Sequence, residues 1–345
     1  MRRRSLASFA SLLIVIGSVS VAAGQAPTAG EKTKPAKVWT PPRTADGRPD
    51  LQGVWDFSTL TPMERPKDLA GKTVLTDDEA KEFEAARLRF EDRDRVDPVT
   101  GRTAQYERGQ VVPYNEFWYE RGTVISTRRT SLVVDPPDGR IPALTPEAEK
   151  KRVQAAEARR GVGADEPRPG GWLEDISYPV RCIMGFNSGP PMTPSAYNNV
   201  FQLFQTPQYV VILNEMIHSS RIVPLDGRPH TNIRQWAGDS RGHWEGDTLV
   251  VDTINFHATT SLRGSSPNMH LVERFTRTDA GTLLYEFTAT DPTTWTKPWT
   301  AAVPMRKASN LHEYACHEGN YGLANILAFT RQKERAEEEA ARKKK

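Results

Sequence analysis

Long hydrophobic runs are scarce in this chain of 345 residues. Beyond the stretch Leu6–Val21, no apolar run reaches the roughly 18 residues that a membrane-spanning helix requires, so stable membrane insertion is not expected. That first stretch follows Arg2–Arg4 and ends in small residues at Ala22 and Ala23, which is the pattern of a secretory signal peptide. The sequence therefore predicts a signal peptide over residues 1–23 and a periplasmic or secreted protein.

Cysteine is equally scarce, since Cys182 and Cys316 are the only two. They form no C-x-x-C pair, so the closely spaced thiols of a redox centre are not expected. An even number of cysteines in an exported chain predicts one disulfide, and closing so long a loop is expected to stabilise the fold by about 4–5 kcal/mol. Two separate buried thiols are the alternative.

A strong excess of charge of one sign is lacking too. The chain has 46 Lys and Arg against 43 Asp and Glu, a formal balance of +3 that would fall to zero without the signal peptide. Such a protein has no overall electrostatic attraction to nucleic acid. No P-loop and no G-x-G-x-x-G occurs, and G-x-S-x-G is absent as well. We therefore expect no bound cofactor and a small-molecule substrate or ligand, with the oligomeric state left open.

Histidine is missing from the first 217 residues. Because histidine changes its charge near neutral pH, acid–base or metal chemistry is expected in the second half of the chain. All seven histidines lie there, at His218, His230, His243, His257, His270, His312 and His317.

Two helices are predicted in the first half. Thr76 followed by Glu79 forms a capping box, which predicts a surface helix over 79–93. Thr145 before a proline begins a second helix that runs to about residue 160. Around them the sequence predicts an extended polar lead-in over residues 24–46, a single β-rich domain over 47–325 with its site in 200–320, and a charged tail over 326–345.

Short β-rich runs separated by turn signals dominate the rest of the chain. Their spacing favours a mainly β protein whose antiparallel sheet forms a barrel or a strongly curved sheet. The predicted strands are 130–134, 200–204, 209–213, 221–223, 248–256, 270–276, 282–288, 299–303 and 311–316.

Several motifs occur together along the chain, namely DLQGVW at 50–55, DPPDGRIP at 135–142, PLDGRPH at 224–230, WEGDTLVVDT at 244–253 and EYACHEGNY at 313–321. In this combination the chain resembles a large group of exported proteins of soil bacteria, mostly uncharacterised. The resemblance implies a shared fold and no particular reaction. Two positions depart from it, because Asn214 replaces a common His and His243 a common Arg. Separately, the G-x-W of Gly53–Trp55 resembles the entry of lipocalin-type barrels.

Because side chains alternate along a strand, the sequence predicts which face of the sheet each candidate catalytic residue occupies. A hairpin turn near 215–217 would place His218 and Arg221 on opposite faces of a regular strand, and only a bulge would bring them together. Glu273 lies between Leu271 and Phe275 on an apolar face, where a carboxylate needs a partner. Arg221 or a histidine could supply that partner.

Asp252 is the second candidate carboxylate. It shares a strand face with Val250 and Ile254, so it lies either among buried apolar side chains or on a face that meets solvent. Burial would raise the pKa of its carboxyl and suit it to general acid or base chemistry. Four further residues are predicted to contact a substrate, namely Trp236, Trp244, Asn255 and His317.

The leading hypothesis is an exported, cofactor-independent enzyme that acts on a small organic substrate in a β-barrel pocket, as an isomerase, lyase or hydrolase. His218 or His270 would act as base, Glu273 as acid or orienting group, and Arg221 would stabilise developing negative charge. One alternative is a binding protein or carrier without turnover. Another is a metal-dependent hydrolase that uses His218, His230 and His317. We expect the four catalytic candidates to face one hollow.

Overall fold

Ten β-strands in the part of the chain that the structure describes form one sheet, and its antiparallel pairing confirms the prediction. The computed structural model describes residues 39–92, 94–96, 99, 101, 115–163, 165–259 and 262–344. The predicted signal peptide and most of the lead-in lie outside these residues, and the chain from Trp39 onward forms one compact unit. The strands are β1 Gly53–Asp56, β2 Val133–Asp135, β3 Val200–Gln205, β4 Tyr209–Asn214, β5 Ser220–Pro224, β6 Asp239–Glu245, β7 Thr248–Ile254, β8 His270–Arg277, β9 Thr282–Thr290 and β10 Trp299–Ala308.

The strand order is β5-β4-β3-β1-β10-β9-β8-β7-β6, with β2 added beside β10. Most neighbours in this order are joined by short hairpins, such as the turn at Gly246–Asp247 between β6 and β7. In contrast, β1 is distant in sequence from both its neighbours and enters between β3 and β10. The early strand β1 therefore ties the two later groups of hairpins together.

The sheet curves strongly enough for its two outer strands to meet. Within the described residues, no hydrogen-bonded ladder joins β5 to β6, so the closed barrel that was one form of the prediction is wrong. The two strands touch through side chains instead. A Cβ placed on Gly242 of β6 would lie 2.9 Å from Cγ1 of Val223 in β5 and 2.6 Å from Cδ2 of Leu225 just beyond it. Glycine is the side chain that permits this close approach.

The concave side of the sheet is filled with apolar side chains. In β8 and β9 buried and partly exposed residues alternate, as the period of two requires. The side chains that fill the interior are at most 1% exposed and include Trp55, Phe201, Phe275, Phe287 and Trp299. The interior is thus a packed core rather than a hollow for a ligand.

Three α-helices accompany the sheet in the described part of the chain: α1 Asp77–Glu91, α2 Pro146–Ala158 and α3 Tyr321–Lys343. The first two confirm the predicted helices, and the capping box of Thr76 and Glu79 is present. The third covers most of the predicted charged tail. No helix of the described residues is long and apolar enough to cross a membrane.

The predicted strand over 311–316 is wrong, because this segment is irregular. Its predecessor β10 already pairs with β9 on one side and with β1 and β2 on the other, so no edge is left for a following hairpin partner. Backbone groups of the segment bond elsewhere: the N–H of His312 donates to Oε2 of Glu215 at 2.8 Å.

Candidate functional site

The five predicted catalytic residues lie in three separate places, so the expectation of one shared hollow is wrong. Arg221 and Glu273 are buried in the interior, Asp252 and His270 lie on the outer surface, and His218 is in an exposed turn. Alternation along β8 explains the first separation, because His270 and Glu273 are three residues apart and point to opposite faces. The turn before β5 explains the second, since it holds His218 outside the strand that carries Arg221.

The interior pair confirms the prediction that Glu273 needs a partner. The Arg221 guanidinium binds both carboxylate oxygens of Glu273, with Nη2 donating to Oε1 at 2.9 Å. The hydroxyl of Tyr285 also donates to Oε1, at 2.8 Å, and accepts from the N–H of Met192 at 3.1 Å. Burial raises the pKa of the Tyr285 phenol well above its ordinary value. These groups are enclosed by the core, and the structure gives them partners rather than an opening toward a substrate.

The outer pair belongs to a cluster that we call the histidine–aspartate site, composed of His230, Asp252 and His270. Nε2 of His230 lies 2.9 Å from Oδ1 of Asp252, and Nε2 of His270 bonds to Oδ2 of the same carboxylate. The face of β7 that carries Asp252 is the one toward solvent, since Leu249, Val251 and Thr253 fill the interior. One carboxylate therefore holds two imidazoles at the surface.

A second layer supports this site from the start of β6. Asp239 Oδ2 lies 3.5 Å from Nδ1 of His230 and accepts a hydrogen bond from the N–H of Thr231 at 2.6 Å. Arg241 binds Asp239 Oδ1 at 2.5 Å and donates to the carbonyl of Pro229. Burial alone would raise the pKa of the Asp239 carboxyl, but the bonds from Thr231 and Arg241 outweigh it and lower that pKa below its ordinary value. Asp239 thus stays an anion beside His230.

The three side chains of the histidine–aspartate site differ in their exposed fraction. The side chain of His270 is 45% exposed, that of Asp252 34% and that of His230 22%. A neutral imidazole that donates through Nε2 to a carboxylate carries no proton on Nδ1, which is then an acceptor. A neutral His270 ring that donates to Asp252 through Nε2 would therefore present Nδ1 as a proton acceptor at the surface.

A second candidate site is the cleft beside the Cys182–Cys316 bond, which we call the disulfide cleft. The bond itself confirms the predicted disulfide. The cleft has a volume of about 850 Å³. It is lined by Asp165, residues 177–180, Phe186, Tyr197, Met216, Ile217, residues 313–316 and residues 318–320.

The turn between β4 and β5, which was correctly predicted, forms one wall of the disulfide cleft. Ile217 and His218 have φ of 56° and 42°, in the left-handed region that a β-branched residue such as Ile217 rarely adopts. His218 donates through Nδ1 to the carbonyl oxygen of Tyr314 at 3.3 Å, and its ring lies 6.2 Å from that of His317. Strained backbone of this kind concentrates at functional sites.

The four residues predicted to contact substrate are dispersed. Trp236 stacks on His257 at 4.2 Å and lies 6.4 Å from the ring of Tyr178, a residue of the disulfide cleft. His317 lies beside the same cleft, next to His218. Trp244 packs against the core, and the Asn255 amide donates to the carbonyl of Thr231. Two of the four are therefore close to the cleft.

The alternative metal site of His218, His230 and His317 is not assembled. His230 binds Asp252, whereas the other two rings lie together at the disulfide cleft. In the part of the chain that the structure describes, no group of three or more His, Cys, Asp or Glu side chains is arranged to hold a metal ion. We therefore derive no step through a metal.

Two supporting residues, Asp239 and Arg241, were missed from the sequence. A signal for one of them was present: β6 and β7 are joined by a turn at Gly246–Asp247, and counting back from it places Arg241 opposite Asp252. The position of His230 in the site could not be counted in this way, because it lies in a loop.

Comparison with known proteins adds no relative. The chain matches no protein-family model, no curated protein and no solved structure. The resemblance of its motifs to exported proteins of soil bacteria stays a prediction, as does the likeness to lipocalins.

Proposed function

We propose that this protein is an exported, cofactor-independent enzyme that transfers protons on a small organic substrate at the histidine–aspartate site. One observation carries the proposal: a single carboxylate, Asp252, binds Nε2 of both His230 and His270 while His270 remains half-exposed. A base held in one tautomer by a carboxylate, with its other nitrogen open, is the arrangement that general base catalysis requires.

His270 is the proton acceptor in this proposal. Its Nδ1 takes a proton from the substrate or from a water molecule, and the ring becomes an imidazolium. Asp252 stabilises that cation through the hydrogen bond that already fixes the ring, so little reorganisation accompanies the transfer. The same proton can then be returned from Nδ1, which makes His270 the acid of a second step.

His230 holds Asp252 from the inner side. Its ring lies between Asp252, whose Oδ1 is 2.9 Å from Nε2, and Asp239, whose Oδ2 is 3.5 Å from Nδ1, and Arg241 forms an ion pair with Asp239 in turn. These contacts fix the Asp252 carboxylate through Oδ1 and leave Oδ2 to bind His270. His230 is thus a positioning residue in the proposal, whereas His270 contacts the substrate.

The class of reaction depends on which molecule loses the proton and on the step that follows. Return of the proton to a neighbouring atom gives an isomerisation, loss of a group from that atom gives an elimination, and removal of the proton from water gives a hydrolysis. All three were predicted as alternatives from the sequence, and the histidine–aspartate site is compatible with each. Export, which is part of the proposal, is supported by the disulfide, because such bonds persist in oxidising compartments.

The test measures proton removal directly. Wild-type protein in D₂O is incubated with a panel of small aldehydes, ketones and hydroxy acids, and ¹H NMR follows the exchange of the proton next to each carbonyl group. Release of p-nitrophenol from p-nitrophenyl esters covers hydrolysis. We expect activity toward at least one compound, and a loss of about 10²- to 10⁴-fold in His270→Gln and in Asp252→Asn.

His243→Gln is the matched control. His243 is an exposed histidine of β6 that also contacts a carboxylate, Glu245, at 3.2 Å, but it lies outside the histidine–aspartate site. This variant should keep wild-type rates, and thermal unfolding should be alike in all four proteins. Equal activity in the wild type and in His270→Gln would overturn the proposal. Binding of panel compounds without any exchange or hydrolysis would instead favour the carrier.

A further inference from the structure

The lining of the disulfide cleft combines two kinds of side chain. Four aromatic rings, those of Tyr178, Phe186, Tyr197 and Tyr314, belong to it. Three carboxylates belong to it as well, at Asp165, Glu313 and Glu318, and no Lys or Arg is among the described residues that line it. Aromatic faces attract cations through their quadrupole, and carboxylates attract them through charge.

The carboxylates are not neutralised by the protein. Within the described residues, none of Asp165, Glu313 and Glu318 forms a salt bridge, and all three are exposed. Asp165 accepts a hydrogen bond from the hydroxyl of Ser177, at 2.8 Å. Their negative charge therefore remains available to a ligand that enters the cleft.

The aromatic rings are held in place. Phe186 and Tyr197 pack edge to face, with ring centroids 5.6 Å apart. Burial raises the pKa of the Tyr178 phenol, so this group stays uncharged near neutral pH. Positioned aromatic rings of this kind bind an organic cation at a small cost in conformational entropy.

Two further parts of the cleft lining are also held in place by contacts within the protein. Met216 and Ile217 are buried against Cys182. On the far wall, Nδ2 of Asn320 donates to the carbonyl of Val180 at 3.1 Å while its Oδ1 caps helix α3. The volume of about 850 Å³ is within the range of clefts that take small organic ligands.

We propose that the disulfide cleft binds a small organic cation, of the quaternary ammonium or substituted amine class. The aromatic rings would contact the alkyl groups around the nitrogen, and Glu313 and Glu318 would face the positive charge from the rim. This proposal does not rest on catalysis at the histidine–aspartate site, and either can fail without the other.

The experiment compares cations with a neutral isostere. Isothermal titration calorimetry of the full chain is performed with choline, benzyltrimethylammonium and 3,3-dimethylbutan-1-ol, which has the shape of choline but no charge. We expect both cations to bind, and the neutral alcohol to bind about tenfold more weakly or not at all. Absence of binding by both cations up to 10 mM, or equal affinity for choline and the alcohol, would overturn the proposal.

Variants then locate the binding. The double variant Glu313→Gln/Glu318→Gln should weaken cation binding about tenfold, and Phe186→Leu should weaken it several-fold while keeping an apolar side chain. The control is Glu338→Gln/Glu339→Gln, which removes two exposed charges from α3 away from the cleft. Unchanged binding in the first double variant, or an equal loss in the control, would show that the cation binds elsewhere. Circular dichroism checks that every variant is folded.

Discussion

The carboxylate of Glu273 is buried between Leu271 and Phe275, and its hydrogen-bond partners come from residues distant in sequence. Arg221 and Tyr285 supply the hydrogen bonds that its burial requires. Breaking a buried pair of this kind by removing one partner costs about 3–5 kcal/mol, whereas replacing the pair by apolar groups is often neutral. We therefore expect the pair to contribute more to the specific placement of β5 relative to β8 than to the net free energy of folding.

Tyr285→Phe tests this cluster through pH. Burial raises the pKa of the folded phenol, while the unfolded phenol ionises near pH 10. The phenol's contribution is fully present below about pH 10 and is lost as pH rises, because only the unfolded chain releases the proton. We expect the free energy of unfolding of the wild type to fall by about 1.4 kcal/mol more per pH unit above 10 than that of the variant.

Guanidinium unfolding between pH 8 and 11 measures this difference. Tyr321→Phe serves as control, because Tyr321 is 76% exposed and should give the slope of the wild type. Parallel curves for the wild type and Tyr285→Phe above pH 10 would contradict the assignment. At neutral pH the variant is also expected to be less stable by about 1–3 kcal/mol, since the bond to Glu273 is lost.

Among the secondary-structure elements, the strands of the second half were predictable because their apolar residues alternate with period two. β8 and β9 are clear examples, as each buries every second residue. The segment 311–316 has a similar composition and yet is irregular. Whether this segment forms a strand depends on whether β10 has a free edge to pair with, and the local sequence pattern does not show that.

The disulfide fixes that irregular segment and the start of α3. Replacing both cysteines, in Cys182→Ala/Cys316→Ala, should lower the free energy of unfolding by about 5 kcal/mol, because a separation of 134 residues in the unfolded chain is no longer constrained. Urea unfolding measures the loss. Limited proteolysis should also cut the variant between residues 309 and 330 sooner than the wild type.

A reducing agent provides the control for this prediction. Dithiothreitol should lower the stability of the wild type toward that of the double variant and leave the variant unchanged. Should the double variant unfold at the same urea concentration as the oxidised wild type, the disulfide would contribute nothing, and the noncovalent contacts of the segment, such as those with Glu215 and Asn320, would be sufficient to hold it.

For the whole molecule, β5 and β6, the two outer strands of the sheet, come into close contact. Gly242→Ala tests it, because the added Cβ would lie 2.6 Å from Leu225 and 2.9 Å from Val223. We expect a loss of about 1–3 kcal/mol in the free energy of unfolding, measured with urea. In the control Gly281→Ala the added Cβ meets only Asp279 at 3.7 Å, so no loss is expected. An equal effect of both substitutions would contradict close contact of the two strands.

The histidine–aspartate site shows how far prediction of a site can go. His270 and Asp252 were both candidates, and the structure places His270 and Glu273 on opposite faces of β8. The sequence left open which face of β7 is buried, because Val250 and Ile254 make the outer face nearly as apolar as the inner one. Only the packing of Leu249 and Val251 into the interior decided it.

The sequence by itself determined the mainly β architecture, two helices, the cysteine pair and the need of Glu273 for a partner, since each depends on local periodicity, capping or composition. The tertiary structure alone decided that the sheet stays open between β5 and β6, that the interior is filled, and that His230 joins Asp252 across the outer face. The physical reason is that these features depend on contacts between residues distant in the chain, which are set by strand order and by how volumes fill the core.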